Sequence, residues 1–171
     1  MRLYFEINNL FFHGQHGFRG GYSCESALHE LISKCMENKY KRMINCLLFV
    51  DFKKAFDMID RKLLLQKLAE YGFMNSAISL IESYFSNRKQ MVRIGKINSG
   101  FIDLNLGVPQ GSVLGSLLFL IYINDLPVFL SDYFVRLFAD DTTMLFSGGS
   151  TDECTKFCRK RYNSIDRMVQ S

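Results

Sequence analysis

The spacing of apolar residues along the chain predicts five helices. Between residues 26 and 37 the apolar positions recur three and four residues apart, and Ser23 stands where the N-cap of such a helix belongs. A second helix is predicted to follow Asp60, its cap, and to end at Gly72, because glycine readily adopts the left-handed conformation that commonly ends a helix. Three more are predicted at residues 75–85, at residues 113–125 before Pro127, and in a C-terminal segment capped by Thr151 or Asp152.

Short apolar runs between these helices predict strands. Residues 46–50 form a continuous run, which is typical of a strand buried on both faces. Residues 90–94 and 101–106 are predicted to pair as a hairpin with a longish loop, and residues 133–138 and 142–146 as a second hairpin. Hairpins that alternate with helices predict an α+β domain in which helices pack on one face of an antiparallel sheet.

Two adjacent carboxylates, Asp140 and Asp141, stand at the expected tip of the second hairpin. Hairpin tips of two residues favour Gly or Asn because they need positive φ, and Asp tolerates that geometry only moderately. Neighbouring like charges also repel each other, by about 1 kcal/mol in water and more in a less polar site. Since neither feature helps folding, the pair indicates a functional site, and a divalent cation is its simplest explanation.

Asp51 follows the continuous apolar run directly. If this strand and the Asp140 hairpin are neighbours in one sheet, three carboxylates converge at one edge. Hard cations such as Mg²⁺ prefer oxygen ligands, and two ions roughly 3.5–4 Å apart can activate a 3′-hydroxyl and stabilise a leaving pyrophosphate. Taken alone, Asp51 is better explained as a helix cap or a residue of a surface turn.

An aromatic side chain, Phe56, follows Asp51 by five residues. A ring that close to a metal could stand under a bound sugar and exclude a 2′-hydroxyl, whereas in isolation Phe56 is better explained as a core residue. Lys53 and Lys54 could contact phosphates or face solvent, and Asp57 is expected to order the turn before the next helix.

Residues 107–112 form a glycine-containing loop. Gly107 and Gly111 permit a close approach of backbone, as near a base or sugar, and Gln110 offers a donor and an acceptor. An ordinary turn is an equal alternative. The Gly-Lys-Ser/Thr sequence of a P-loop is absent from the chain, which disfavours that class of nucleotide-binding enzyme.

Composition and charge add limits to this picture. A chain of 171 residues with 48% hydrophobic and 22% charged residues has an ordinary globular balance. The net charge of +4 is compatible with an anionic partner but weaker than that of many nucleic-acid-binding domains. Five cysteines without framework spacing indicate a reduced, intracellular protein, with nothing to distinguish nucleus from cytoplasm. The longest apolar stretch, residues 117–123, is too short for a membrane span.

Three segments in order resemble the palm motifs of reverse transcriptases, and most closely those of the non-LTR retrotransposon group. They are residues 49–57 (FVDFKKAFD), 107–115 (GVPQGSVLG) and 138–141 (FADD). The upstream segment QHGFR at 15–19 resembles the fingers segment of the same group, and the resemblance extends from about residue 3 to about residue 168. Phe138 stands where Tyr is common in the wider family.

The resemblance implies an RNA-directed DNA polymerase that transfers a nucleotide from a dNTP to a primer 3′-hydroxyl. It implies that Asp51, Asp140 and Asp141 hold two Mg²⁺ ions, with the backbone of Phe52 helping and Mn²⁺ as a substitute metal. An RNA template, a DNA primer and a dNTP are the implied partners, with no membrane involved.

The resemblance also implies roles around the nucleotide. Phe56 would act as the gate against ribonucleotides, and Gln110 and Gly111 would shape the pocket for the incoming nucleotide and the template. Arg19 would face the triphosphate.

The implied organisation is one reverse-transcriptase-like unit over residues 1–171. Residues 1–43 are expected to be part of the fingers, and residues 44–171 a palm that contains an intervening fingers-type helical segment. We expect a chain truncated at its C-terminus, so that the thumb, the rest of the palm and any endonuclease region of a longer protein are missing.

Two alternatives stay open at this point. One is an inactive or domesticated element fragment with at most weak nucleic-acid binding. The other is a polymerase palm that makes RNA from RNA, although residues 51–57 and 109–111 fit that class less well.

Overall fold

The computed structural model describes residues 1–130 and 133–170, with side chains described as far as residue 160 apart from that gap. Ser171, the last residue of the expected unit, lies outside the described residues. Within the described residues the elements, in chain order, are α1 (Arg2–Ile7), α2 (Cys24–Tyr40), β1 (Ile44–Val50), α3 (Arg61–Glu70), α4 (Asn75–Phe85), β2 (Lys89–Gln90), β3 (Arg93–Ile94), β4 (Ile97–Asn98), β5 (Ile102–Asp103), α5 (Val113–Ile123), α6 (Leu126–Phe129), β6 (Phe134–Phe138), β7 (Asp141–Gly148) and α7 (Thr151–Gln170).

The chain divides into two compact units. The first comprises Met1–Phe52 together with the chain from Asp125 onward, and the second comprises Lys53–Asn124. The expected fingers boundary near residue 43 stays a prediction. None of the described helices is long and apolar enough to cross a membrane.

The first unit contains a three-stranded antiparallel sheet in the order β1-β7-β6. One face is buried and is formed in part by Val135, Leu137, Met144 and Phe146. The prediction that the run at 46–50 is buried on both faces is wrong: β1 is an outer strand, and Phe49 on its other face is 70% exposed.

Helices α2 and α7 lie on opposite faces of this sheet. Asn45 of β1 donates to Cys35 O of α2 at 2.8 Å, whereas the sulfur of the next residue, Cys46, lies 3.0 Å from that of Cys158 in α7. Successive side chains of a strand point to opposite faces, so the two helices cover different sides. The prediction of helices on one face is therefore wrong for this sheet, because strand alternation lets β1 pack against a helix on each side.

The outer edge of β6 is covered by the segment between α1 and α2. Leu137 N donates to Gly14 O at 2.8 Å, and His16 N donates to Leu137 O at 2.8 Å. Gln15 thereby forms a parallel bridge with Leu137. This pairing satisfies backbone groups that an open edge strand would leave to solvent.

Side-chain caps mark the starts of several helices. The Ser23 side chain accepts from Ser26 N, and the Ser26 side chain accepts from Ser23 N, which together form a capping box at the start of α2. Asp60 Oδ1 accepts from the first-turn N–H groups of Lys62 and Leu63, as predicted for α3. At α7 the cap is Ser150, whose Oγ accepts from Glu153 N at 3.2 Å, and the prediction of Thr151 or Asp152 is one or two residues late.

The second unit holds α3, α4 and α5 around a core that includes Ile59, Leu64, Leu68, Phe85 and Leu118. The predicted long-loop hairpin is wrong in detail. Its place is taken by two short ladders, β2 with β5 and β3 with β4, and the second closes through a two-residue tip at Gly95-Lys96. Gly95 has φ +61°, which a tight tip needs and glycine adopts without strain.

The segment around Pro127 also differs from the prediction. Helix α5 ends at Ile123, two residues earlier than predicted. Pro127 does not follow a helix end directly but lies in the first turn of the short helix α6. Proline is tolerated there because N–H groups of a first turn have no partner within the helix.

Candidate active site

Asp51 and Asp141 directly adjoin the last paired residues of β1 and β7, at one end of the sheet of the first unit. The last paired residues of β1 and β7 are Val50 and Thr142, and one further step of the same antiparallel register brings Asp51 opposite Asp141. Directly opposed residues of an antiparallel pair have Cα atoms about 4.5–5.5 Å apart and side chains on the same face. Two carboxylates distant in sequence are therefore neighbours at one end of the sheet.

The hairpin that carries the second and third carboxylates is tighter than predicted. Phe138 pairs with Asp141, so the tip is Ala139-Asp140, and Asp141 is already the first residue of β7. The positive φ that a tight tip requires falls on Ala139, at +56°, and not on either aspartate. The expectation of an Asp-Asp tip is corrected by one residue, because the register of β6 with β7 sets the turn.

The electrostatic setting of the three carboxylates is acidic. Asp51 and Asp141 are exposed and Asp140 is half-buried. Within the described part of the chain, none of the three forms an ion pair with a basic side chain. Over the same residues, no group of three or more His, Cys, Asp and Glu side chains lies close enough together to hold a metal ion. The structure thus brings Asp51 to Asp141 but does not gather all three carboxyl groups around one point.

Two backbone-directed contacts fix the tip. Gln15, which is 2% exposed, accepts from Ala139 N at 3.0 Å and donates to Ala139 O at 3.2 Å. Gly17 lies so near that a Cβ atom on it would come within 2.2 Å of Ala139 N. The turn is therefore held from the segment that covers the edge of β6.

Arg19 is engaged within the first unit. Its guanidinium donates from Nη2 to Glu6 at 2.7 Å and from Nε to the same carboxylate at 3.2 Å, and it also donates to Phe12 O at 3.1 Å. It lies over the ring of Tyr22, 4.3 Å from the centroid, and its side chain is 8% exposed. A triphosphate would have to compete with Glu6 for this group.

In the second unit, Phe56 is half-buried and stacks on Phe119, with ring centroids 4.2 Å apart and 20° between the planes. Phe119 is 2% exposed. One side of the Phe56 ring is thus fixed by the core of the unit. The stacking is the packing of a core side chain on one face of the ring, and the role of Phe56 as a gate against a 2′-hydroxyl stays a prediction.

The loop at 107–112 is anchored to the turn that precedes α3. Gly107 N donates to Ile59 O at 2.8 Å, and Val108 N donates to Phe56 O at 3.0 Å. Gly107 has φ +74°, and a Cβ there would come within 2.7 Å of Asp57 O. The close approach that Gly107 permits is therefore to the chain's own backbone.

The tip of the same loop is exposed. Gln110 Nε2 donates to Asp57 Oδ1 at 2.8 Å, and Gly111 has φ +75° with open space where a Cβ would stand. Gly111 is thus required by its backbone conformation and not by crowding. Ser112 Oγ accepts from Gly115 N at 2.9 Å and so begins α5.

A comparison of the sequence with known protein families identifies the family of this chain. Residues 2–168 match the family described as reverse transcriptase (RNA-dependent DNA polymerase). The chain belongs to the reverse transcriptase family.

Named relatives support the retrotransposon resemblance. The "Probable RNA-directed DNA polymerase from transposon BS" of Drosophila melanogaster is 30% identical over 149 residues, which cover 83% of this chain and 16% of the relative. The RNA-directed DNA polymerase from mobile element jockey of the same organism is 28% identical over 92% of this chain and 18% of the relative. The Retrovirus-related Pol polyprotein from type-1 retrotransposable element R1 of Bradysia coprophila is 33% identical over 68% and 11%. The chain therefore spans less than a fifth of the length of each of these relatives.

Sequence reasoning about this reverse transcriptase chain missed two residues that organise its candidate sites. Gln15 belongs to the segment that resembles the fingers motif, but its amide donates to Ala139 O, 124 positions away. Arg61 belongs to none of the motifs, yet its guanidinium donates to the carbonyls of Leu104, Leu106 and Gly107. Neither pairing leaves a local signal, because the partners are backbone groups that any residue type could supply.

Proposed function

We propose that the chain carries the catalytic centre of an RNA-directed DNA polymerase, which transfers a nucleotide from a dNTP to the 3′-hydroxyl of a DNA primer on an RNA template. The observation that carries the proposal is the register of β1 with β7, which brings Asp51 opposite Asp141. Like charges repel when they are neighbours, and these carboxylates have no basic partner in the described part of the chain. Such a pair is stabilised by a cation.

The donor set suits two Mg²⁺ ions, or Mn²⁺ in their place. Asp51, Asp140 and Asp141 offer hard oxygen ligands, and we assign the backbone carbonyl of Phe52 to the same group. Mg²⁺ commonly takes only one or two carboxylates and completes its shell with water and substrate phosphates, so three converging carboxyl groups are not needed beforehand. When bound, such ions lower the pKa of an attacking hydroxyl and neutralise charge on the leaving pyrophosphate.

The protein's own contribution is positioning. Phosphoryl transfer depends chiefly on alignment and on stabilisation of spread negative charge. Asp141 is paired with Phe138 in the β6–β7 ladder, Asp51 follows the last paired residue of β1, and the tight tip places Asp140 one residue before β7. The backbone that carries these side chains is thus held in place, while the carboxyl groups themselves still have to gather when a metal ion binds.

For the nucleotide we propose Phe56, Gln110 and Gly111. Stacking on Phe119 restricts movement of the Phe56 ring, which suits a side chain that excludes a 2′-hydroxyl by its bulk. Gln110 is exposed, with its amide nitrogen bound to Asp57. Gly111 leaves the backbone open for close approach by a base or sugar.

For Arg19 we propose contact with the triphosphate, which requires its release from Glu6. Arginine binds phosphates and carboxylates through the same bidentate geometry, so the Glu6 carboxylate occupies Arg19 as a phosphate would. Of the roles proposed for these residues, the role of Arg19 requires the largest change in the described contacts.

We assign the β1-β7-β6 sheet to a polymerase palm, residues 1–43 to part of the fingers and residues 53–124 to an intervening fingers-type segment. Motif order and the family match support this assignment.

Primer extension tests the proposal. The 171-residue chain is given an RNA template, a labelled DNA primer and one dNTP with Mg²⁺, and addition of the first nucleotide is measured. Asp51→Asn keeps the side-chain shape and removes the charge, and it is expected to reduce the rate by about a hundredfold or more, as loss of a key electrostatic group does. Asp152→Asn, an exposed change at the start of α7, is the matched control and is expected to keep the rate.

Two other outcomes would change the conclusion. Absence of incorporation with any template, under conditions where the chain is folded, would favour the inactive element fragment. Equal extension with ribonucleotides and deoxyribonucleotides by the unaltered chain would favour a palm that makes RNA.

A further inference from the structure

The buried amide of Gln15 satisfies both backbone polar groups of a single residue in the carboxylate turn. Its Oε1 atom accepts from the N–H of Ala139 at 3.0 Å and from the N–H of Gly17 at 2.8 Å. Its Nε2 atom donates to Ala139 O at 3.2 Å. Since Ala139 is itself 6% exposed, water is poorly placed to replace these bonds.

Ala139 adopts a conformation that alanine does not favour. Its φ of +56° lies in the left-handed region, which residues with a Cβ occupy only when their surroundings hold them there. Two residues surround Ala139. The Gln15 amide binds its backbone N–H and C=O groups, and Gly17 packs so closely that a Cβ on Gly17 would come within 2.2 Å of Ala139 N. We call Gln15 and Gly17 together the turn bracket.

The turn bracket is itself anchored. His16 N donates to Leu137 O, and Leu137 N donates to Gly14 O, both at 2.8 Å. These bonds tie the bracket to β6 two residues before Ala139. A bracket fixed to the strand can hold the turn that follows the same strand in one conformation.

We propose that Gln15 is a positioning residue for the metal-binding carboxylates. By holding Ala139 at positive φ, it sets the direction in which Asp140 leaves the turn, beside Asp141, whose position is set by the strand register. The inference rests on the proposed function, because it takes the aspartates as metal ligands. Without the amide, only the hairpin register and the neighbouring backbone hold Ala139 at positive φ, and relaxation of this turn moves Asp140 with it.

Mn²⁺ binding to the 171-residue chain tests this role without requiring turnover. Gln15→Met keeps the length of the side chain and removes all three hydrogen bonds. Free Mn²⁺ is followed by its paramagnetic resonance signal, and affinity is expected to fall about tenfold or more, as it does when groups that orient metal ligands are removed.

The matched control is a second buried amide in the same unit. Asn38 is 4% exposed and donates to Asn45 Oδ1 at 2.8 Å, near the end of β1 that is remote from Asp51. Asn38→Leu removes that bond at similar volume. It is expected to lower the thermal midpoint while leaving Mn²⁺ affinity unchanged, which separates positioning from general loss of stability.

A rescue variant makes the test specific for backbone conformation. Glycine adopts positive φ without help from neighbours, so Ala139→Gly in the Gln15→Met background is expected to recover part of the lost affinity. If Gln15→Met does not fold, Gln15→Asn takes its place, because it retains an amide that is one methylene too short to reach Ala139.

The outcomes distinguish this inference from the proposed function. Equal Mn²⁺ affinity in the wild type and the Gln15 variant overturns the positioning role alone. If the wild type shows no Mn²⁺ binding that Asp51→Asn and Asp141→Asn abolish, the metal site itself is overturned and the positioning role with it.

Discussion

Gln110 and Asp57 are joined by a hydrogen bond of 2.8 Å that runs from the amide nitrogen of one to the carboxylate of the other. The residues are 53 positions apart, and the bond ties the exposed tip of the 107–112 loop to the turn before α3. Backbone bonds from Gly107 and Val108 to the same turn make the attachment continuous. The loop is therefore held in place by the turn before α3.

Loss of this bond is expected to weaken nucleotide binding. Asp57→Ala removes the hydrogen bond that holds the Gln110 side chain. The side chain then loses conformational freedom when the nucleotide binds, and this entropic cost weakens binding. We expect the KM for a dNTP to rise by roughly three- to tenfold with little change in kcat, measured as single-nucleotide addition. Asp152→Ala is the control, and a change in kcat alone would show that Asp57 acts on the chemical step.

Phe56→Val is expected to admit ribonucleotides. The smaller side chain removes the ring that stacks on Phe119, and discrimination against a 2′-hydroxyl should fall by about tenfold or more if that ring is the barrier. The ratio of kcat/KM for a dNTP and the matching ribonucleotide is the measurement. Phe119→Leu keeps the Phe56 ring and removes its support, so it is expected to reduce selectivity less. An unaltered ratio in Phe56→Val would leave Phe56 with a packing role only.

The buried imidazole of His16 makes stability sensitive to acid. Burial lowers the pKa of His16 below its usual 6.5, and Glu30 offsets this only in part while Arg136 and Arg19 add to it. The unfolded chain therefore binds a proton more readily than the folded one. This contribution is fully present above pH 6.5 and is lost as pH falls from there towards the lowered pKa of the folded state.

Denaturant unfolding between pH 7.5 and pH 5 checks this dependence. His16→Gln should flatten the curve by at most about 1.4 kcal/mol per pH unit, the limit for one proton. His29→Gln, at an exposed position of α2, is the control and should keep the slope of the wild type. A steeper slope in His16→Gln would contradict the assignment.

Cys158 should react slowly with alkylating agents. Burial first, and then the hydrogen bond with Cys46, raise the pKa of the Cys158 thiol to about 12, and burial also raises the pKa of Cys154. Only the thiolate is nucleophilic, so at pH 8 iodoacetamide should label the exposed Cys24 first. Timed labelling followed by mass spectrometry of peptides provides the measurement. Labelling in denaturant is the control, and it should remove the difference; equal rates in the folded chain would refute the prediction.

Arg61 should be among the most important polar residues for stability in the second unit. Its guanidinium donates to the carbonyls of Phe85, Leu104, Leu106 and Gly107. Arg61→Leu leaves several of these acceptors without a donor and should lower the free energy of unfolding by about 2–3 kcal/mol. The control is Lys62→Met, at the exposed position next to Arg61. It should lower the free energy of unfolding by less than about 0.5 kcal/mol. A similar result for both variants would show that water replaces Arg61.

Sequence reasoning succeeded where the determining interactions are local. Ser23 and Asp60 were recognised as caps because each bonds to N–H groups two or three residues away. Helix α4 begins and ends where the apolar spacing predicted. The three motifs predicted the reverse transcriptase family, and the family match confirms this. Short-range interactions can be recognised in a sequence because both interacting residues lie within a few positions of each other.

Sequence reasoning failed where several pairings of similar local merit compete. Residues 90–106 could form one hairpin or two short ladders, and the close pairing of Ile94 with Ile97 was not predictable from alternation alone. The tip at 138–141 was misplaced by one residue for the same reason. A shift of register by one residue changes every partner yet barely changes local propensity.

The amino-acid sequence by itself determined the five longer helices but not the short helices α1 and α6. It also determined which acidic residues are candidates for a metal and which family the chain belongs to. Only the tertiary structure decided that Asp51 lies opposite Asp141, that Gln15 holds Ala139, and that α2 and α7 cover opposite faces of one sheet. Helix caps and motifs act over a few residues, whereas strand register and buried hydrogen bonds join residues about a hundred positions apart. Those long-range partners are selected by packing of the whole chain, which no local pattern encodes.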